Sequence, residues 1–106
     1  MMNAVEAVNE HIRALLARDM EALVDGYADD AVILVGTKAI AGKPAIRGMF
    51  GNLPEAGVLA DVTVDPFVSH GDHVFVTYRR PGQEGGDTFT VRNGKITMQS
   101  VHIVHR

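Results

Sequence analysis

Hydrophobic residues near the N-terminus recur at helical spacing. In residues 3 to 18 they fall three or four positions apart, which predicts an amphipathic helix with its apolar face formed by Val5, Val8, Ile12, Leu15 and Leu16. Asp19 follows, and aspartate often accepts the unpaired amides at a helix start. A second, short helix is therefore predicted immediately after Asp19.

The pattern then changes from helical to extended. Residues 31 to 35 are all apolar, which is typical of a short buried strand. Pro44 is suited to the first turn of a helix and predicts a third helix over residues 44 to 50.

From residue 58 onward the sequence predicts strands. One covers roughly residues 58 to 69, with Pro66 marking a bend or a sheet edge, and another covers residues 73 to 80. The segment PGQEGG, residues 81 to 86, predicts a loop. The last two strands flank Asn93-Gly94, the preferred dipeptide of a tight hairpin turn.

A two-residue turn at Asn93-Gly94 fixes which side chains share a face of the hairpin. It pairs Phe89 with Met98 and Asp87 with Ser100, and the same face continues to His102. We expect this face to pack on the helices. A bulged turn would shift one strand by a residue and weaken this assignment.

The opposite face of the hairpin becomes apolar at Val101 and Ile103. Helices can cover only one side of such a sheet, so an apolar outer face predicts a partner surface. A homodimer through the outer sheet face is the simplest partner.

The order of elements predicts an α+β fold. Three N-terminal helices would pack on one face of a curved, mostly antiparallel sheet, which closes into a cone-shaped roll around a pocket. The length of 106 residues is that of a single domain, residues 1 to 106.

Composition narrows the classes of function. The net charge is −3 and the basic residues are scattered, which argues against a nucleic-acid partner. The absence of cysteine excludes disulfides and thiolate chemistry and fits a reducing compartment. No apolar run reaches membrane-spanning length, and Glu6 and Glu10 are unlike a signal peptide, so we expect a soluble cytoplasmic protein without membrane association.

The histidines do not predict a metal site. His70 and His73 flank Gly71-Asp72, a dipeptide that favours a turn, so they would lie on either side of a hairpin turn. His102 and His105 lie three apart on a strand and would face opposite sides. No spacing typical of a zinc or non-haem iron site occurs.

Three segments carry a resemblance to a known family. The chain resembles the nuclear transport factor 2-like superfamily, in its SnoaL-like and ketosteroid isomerase-like branch, in LLARDMEALVDGYADDAVIL (15 to 34), GKPAIRGMF (42 to 50) and DTFTVRNGKITMQSVH (87 to 102). With the element order, the likeness covers nearly the whole chain and implies the same cone-shaped fold. This superfamily includes isomerases, dehydratases, polyketide cyclases, epoxide hydrolases, binding modules and dimerisation domains, so it implies no single function.

The resemblance to ketosteroid isomerases also implies three site positions. Their general-base aspartate falls on Val35, which cannot accept a proton. Their oxyanion-binding tyrosine falls on His11, and their protonated aspartate falls on Asp87. The Asp–Arg–Asp set of the epoxide hydrolases cannot be assigned here.

Three residues are therefore candidates for acid–base catalysis. His11 borders the buried stripe of the first helix, where it would be a pocket histidine or a boundary residue satisfied by water or a carbonyl. Asp87 would have a raised pKa if it faced an apolar cavity, or would be a strand-end residue turned to solvent. His102 would couple with Asp87 on the shared face, or be half-exposed near the C-terminus.

The predicted pocket would bind a small hydrophobic molecule bearing a carbonyl. Five residues are candidates for its wall, although an ordinary buried position would also suit the tyrosine: Tyr27, Val35, Phe50, Phe89 and Met98. One hypothesis is an isomerase, dehydratase or cyclase that needs no cofactor. The alternatives are a non-catalytic ligand-binding module and a dimerisation module of the same fold.

Overall fold

The computed structural model describes residues 1–52 and 61–105. Its helices are α1 (Ala4–Ala17), α2 (Met20–Asp25) and α3 (Lys43–Gly51). Its strands are β1 (Tyr27–Val35), β2 (Lys38–Ala41), β3 (Thr63–Val64), β4 (Val68–His70), β5 (His73–Arg80), β6 (Gln83–Arg92) and β7 (Lys95–His105).

Side-chain caps explain where the first two helices begin. The Asn3 side-chain oxygen accepts a hydrogen bond from the backbone N–H of Glu6 at 2.8 Å, and the Glu6 carboxylate accepts one from the backbone N–H of Asn3 at 2.9 Å. The two bonds form a capping box at the start of α1. Arg18 is the C-cap that ends α1, and it adopts the left-handed conformation with φ of 56°. Asp19 then accepts the Ala22 amide at 3.2 Å and starts α2, as the sequence predicted.

The strands form one open, curved sheet with the helices packed on one face, so the predicted α+β fold is confirmed. In the described part of the chain the strand order is β2-β1-β7-β6-β5-β3, and β4 also pairs with β5. Strands β1 and β7 are parallel, whereas the other described pairs are antiparallel. The parallel pair brings together two ends of the chain that local sequence cannot relate.

The core lies between α1, α3 and the inner face of the sheet. Its most completely buried large side chains come from both layers: Val8, Tyr27, Ile33, Ile46, Val74, Phe89 and Ile96. Burial of such side chains is worth about 1.5–3 kcal/mol each and holds the helices against the strands.

The hairpin turn is as predicted, but the register beyond it is not. Strands β6 and β7 pair Arg92 with Lys95, and a bulge between Thr90 and Val91 then leaves Thr97 as the extra residue of β7. Phe89 therefore pairs with Gln99 instead of Met98, and Asp87 pairs with Val101 instead of Ser100.

This one-residue shift moves the distal half of β7 to the opposite face. Gln99, Val101 and Ile103 point to the helix side, whereas Met98 and His102 point to the outer side. The predicted apolar outer patch at Val101 and Ile103 is therefore wrong.

Several strand boundaries also differ from the prediction. Strand β1 begins at Tyr27 instead of residue 31, and β2 was not predicted. The predicted loop shrinks to a turn at Pro81-Gly82, because Gln83 onward continues the ladder with β5. Residues 58 to 60 of the predicted strand lie outside the described residues, and the rest forms β3 and β4 on either side of Pro66.

Candidate functional site

A cavity of about 500 Å³ lies between the helices and the inner face of the sheet. Its volume is within the range of small-molecule sites. Helices α1 and α3 supply one side of the cavity, and strands β1, β2, β3, β5, β6 and β7 supply the other. The wall is mainly apolar, with residues such as Ile12, Leu15, Val35, Met49, Phe50 and Val101.

A row of inward-facing residues crosses the sheet beneath this cavity. Asp87 on β6 pairs with Val101 on β7, Val101 with Val35 on β1, and Val35 with Lys38 on β2. All four residues line the cavity. The row therefore runs from a carboxylate, over two valines, to an ammonium group.

Asp87 is held by two hydrogen-bond donors. The Tyr78 hydroxyl donates to Oδ1 at 2.9 Å, and the Gln99 amide nitrogen donates to Oδ2 at 2.9 Å. The Tyr27 hydroxyl donates in turn to the Gln99 carbonyl oxygen. Burial raises the pKa of Asp87 above its ordinary value, and the two donors oppose that rise in part.

Tyr78 can lie over β6 because its cross-strand partner is Gly85. A Cβ atom at Gly85 would come within 2.5 Å of the Tyr78 ring, so any larger residue would displace it. Burial, followed by the charge and hydrogen bond of Asp87, raises the pKa of Tyr78. The phenol therefore stays protonated at neutral pH and acts as a donor to Asp87.

His11 lies at the helix side of the same cavity and is only 4% exposed. Its ring makes edge contacts with the aromatic rings of Tyr27, Phe50 and Phe89, at centroid distances of 5.6, 6.3 and 5.2 Å. Its Nδ1 atom is buried without a hydrogen-bond partner among the described residues. Burial lowers the pKa of His11 to about 4, so the imidazole is neutral at pH 7.

The structure brings His11 and Asp87 to one cavity, together with Val35, Phe50 and Phe89 from the predicted wall. Tyr27 is buried in the core, where its hydroxyl contacts Gln99 and its ring contacts those of His11 and Phe50. Met98 and His102 are placed wrongly by the predicted register. Both face the outer side of the sheet, His102 is exposed, and neither can share a site with Asp87.

Three residues of the site were missed from the sequence: Tyr78, Gln99 and Lys38. Tyr78 follows Val74 and Val76 at alternate positions of β5, and that alternation was a usable signal for an inward side chain. Gln99 was assigned to the outer face because the bulge was not anticipated. Lys38 lies on β2, which was itself missed.

Within residues 1–52 and 61–105, no three histidine or acidic side chains converge as a metal site would require. None of the helices in those ranges is long and apolar enough to cross a membrane.

Comparison with solved structures identifies the fold. A nuclear transport factor 2-like protein of unknown function from Burkholderia xenovorans LB400 has a TM-score of 0.80 and 23% identity, over 97% of this chain and 84% of that one. A proposed ketosteroid isomerase from Kribbella flavida DSM 17836 has a TM-score of 0.76 and 16% identity, over 94% of this chain and 76% of that one. A proposed polyketide cyclase from Sinorhizobium meliloti has a TM-score of 0.73 and 23% identity, over 91% of this chain and 93% of that one.

At these identities the likeness shows the fold alone. No curated protein matches the sequence. The SnoaL-like domain family, however, matches residues 8–99, which include most of α1, all of β6, the beginning of β7 and most of the cavity wall. The predicted resemblance is thus confirmed: the fold is that of nuclear transport factor 2-like proteins, and the chain belongs to the SnoaL-like domain family.

Proposed function

We propose that the cavity binds a small, largely apolar molecule bearing a carbonyl oxygen, and that Asp87 transfers a proton on it. The observation that carries this proposal is a half-buried carboxylate, held by Tyr78 and Gln99, at the end of a mainly apolar cavity of about 500 Å³. The reaction would be an isomerisation or a cyclisation, the two activities named for structural neighbours, or a dehydration, and it needs no cofactor.

The two candidate groups suit different roles. A pKa of about 4 makes His11 a weak base at neutral pH, whereas its single N–H can still donate a hydrogen bond. Burial raises the pKa of Asp87, which moves this carboxylate toward the range useful for a general base. This supports Asp87 as the base and His11 as the donor. His11 keeps the donor role that the resemblance implies, whereas Asp87 acts as a base instead of as a second donor.

The proposed step balances without a second reactant. Asp87 removes a proton from the carbon next to the carbonyl, and the C–H electron pair moves toward the carbonyl oxygen. The oxygen is stabilised as an enolate by the N–H of His11. Asp87 then returns the proton to the same or to a conjugated carbon. Each Asp87 oxygen has lone pairs beyond those used by Tyr78 and Gln99, so the carboxylate can accept this proton.

A non-catalytic binding module is the second candidate. The observation in its favour is Val35, which lies in the cavity wall at the position implied for the ketosteroid isomerase base. Under this alternative the same cavity holds the same class of molecule, and no proton is transferred.

One experiment separates the two. α-Tetralone is incubated with the protein in D₂O, its binding is measured by ligand-observed NMR, and deuterium entry next to its carbonyl is followed over time. We expect binding and catalysed exchange. Asp87→Asn, which keeps the shape of the side chain, should slow exchange by at least about 100-fold, because general-base catalysis contributes about 10²–10⁴-fold.

Thr88→Val is the matched control, since Thr88 is the next residue of β6 and faces the outer side. It should leave both binding and exchange unchanged. Binding without catalysed exchange in the wild-type protein would favour the binding module. No binding by the wild type, or exchange that survives Asp87→Asn, would refute the proposed site.

A further inference from the structure

The cavity has a second polar end that the acid–base proposal does not use. Lys38 lines the cavity at the β2 side, three strands from Asp87 in the same cross-strand row. Strands lie about 4.8 Å apart, so the backbones of the two residues are about 14 Å apart along the sheet. We take a body of two fused six-membered rings, with a polar group at each end, as the size of ligand that matches this spacing.

Lys38 differs from the other two lysines because its ammonium group has no partner in the part of the chain that the structure describes. Lys43 lies 3.6 Å from an Asp29 oxygen, and Lys95 lies 3.5 Å from an Asp25 oxygen. The Lys38 side chain makes no hydrogen bond or ion pair with any residue in the described ranges. Its ammonium group is thus available to an anion that enters the cavity.

The charges around the cavity also fix an orientation. Asp87 is the one acidic residue among the described lining residues, and it would repel an anionic group brought to its end of the row. Arg80 also lines the cavity, although it makes contacts of its own. An anionic group is therefore favoured on the Lys38 side and disfavoured at Asp87.

We propose that the ligand is an amphipathic acid: an apolar ring body over Val101 and Val35, a neutral carbonyl at the Asp87 end, and a carboxylate paired with Lys38. This inference rests on the proposed function, because it assumes that the cavity binds a carbonyl compound. It adds the class of ligand, an aromatic or alicyclic keto acid, which the apolar wall alone would not select.

The test compares two matched probes, α-tetralone and its 6-carboxylate, which differ only in an anionic group at the end away from the carbonyl. Dissociation constants are measured for both by NMR titration. Surface ion pairs are worth about 0.2–1 kcal/mol, so wild-type protein should bind the carboxylate up to about fivefold more tightly than the neutral ketone. The preference should shrink as salt is raised, because the pair is accessible to solvent.

Substitutions assign the preference to Lys38. Lys38→Met keeps the length of the side chain without its charge and should abolish the preference, whereas Lys38→Glu should reverse it and Lys38→Arg should keep it. Lys43→Met makes the same change of net charge at a residue that does not line the cavity, and it should preserve the preference.

The outcomes separate this inference from the proposed function. If the neutral ketone binds and the carboxylate shows no preference, or a preference that survives Lys38→Met, the role of Lys38 is refuted while the cavity remains a binding site. If neither probe binds the wild-type protein, the proposed function fails and this inference fails with it.

Discussion

The imidazole of His11 is buried and shielded from solvent. It is surrounded by the rings of Tyr27, Phe50 and Phe89, and its Nδ1 has no hydrogen-bond partner among the described residues. Desolvation favours the neutral form, which lowers the pKa of His11 to about 4. Protonation of a histidine buried in this way would therefore destabilise the folded protein.

The stability of the protein should therefore fall as the pH is lowered from about 6.5 to about 4. In that interval the unfolded chain binds a proton at residue 11 and the folded protein does not, which favours unfolding. A pKa lowered from 6.5 to about 4 corresponds to about 3 kcal/mol of unfolding free energy lost across the interval. Urea denaturation, followed by circular dichroism at pH 7, 6, 5 and 4, measures this loss of unfolding free energy.

His11→Phe should remove most of this dependence, because phenylalanine has no proton to bind and suits the aromatic surroundings. Exposed His102 provides the control, and His102→Gln should keep the wild-type dependence. Asp87 also lines the cavity, but it is present in the wild type and in both variants. Its contribution to the pH dependence of stability therefore largely cancels when the three proteins are compared. Parallel curves for wild type and His11→Phe would contradict the assignment.

At the scale of elements, the close approach of β5 and β6 sets the geometry of the site. Gly85 has no side chain, and the Tyr78 ring occupies the space that a Cβ atom would take. That position lets the phenol reach Asp87, two residues along β6. The PGQEGG segment was predicted as a loop from its glycines, yet Gly85 lies within β6 because a neighbouring strand places a ring across it.

Gly85→Ala should lower the free energy of unfolding by about 1–3 kcal/mol, the usual cost of forcing an extra group into a packed site. It should also weaken Asp87-dependent exchange of α-tetralone, because Tyr78 would be displaced. Gly48→Ala is the matched control. Gly48 is exposed inside α3 with nothing within 4 Å of the added Cβ, so alanine should raise stability by about 0.5–1 kcal/mol. Equal effects of the two changes would rule out the proposed contact.

At the scale of the whole molecule, the outer face of the sheet is uncovered in the described structure. The predicted patch at Val101 and Ile103 was wrong because of the β7 bulge, but other apolar residues are exposed there. Leu34, Phe75 and Val104 are 45%, 44% and 46% exposed, and Val68 is 67% exposed. Val68, Phe75 and Leu34 lie in one cross-strand row. A homodimer through this face remains our prediction.

Light scattering during size-exclusion chromatography tests this prediction. The wild-type protein should have roughly twice the chain mass of 11.4 kDa, and Phe75→Lys should have the mass of one chain. Leu16→Lys makes the same change at a half-exposed residue of α1, on the helix side, and should remain dimeric. A monomeric wild type, or a dimer lost only with Leu16→Lys, would refute an interface through the sheet.

The features that the sequence by itself determined are those set by local chemistry. Asn3 and Asp19 cap helices close to where the apolar periodicity begins, and Asn93-Gly94 forms the turn that its residues favour. The helix over residues 3 to 18 became Ala4–Ala17, and the one over 44 to 50 became Lys43–Gly51. These elements and their order predicted the fold. The resemblance of three segments to a known family predicted the family and brought forward His11 and Asp87.

The tertiary structure alone decided which side chains meet. One bulge residue, Thr97, exchanged Met98 and His102 for Gln99 and Val101 at the cavity, because strand side chains alternate and a shift of one residue inverts both faces. The face with Met98 and His102 and the face with Gln99 and Val101 each mix apolar with polar residues. The sequence therefore did not indicate which of the two faces the cavity. The row from Asp87 to Lys38 also needs the parallel pairing of β1 with β7, and that contact forms only when the helices and the sheet pack together.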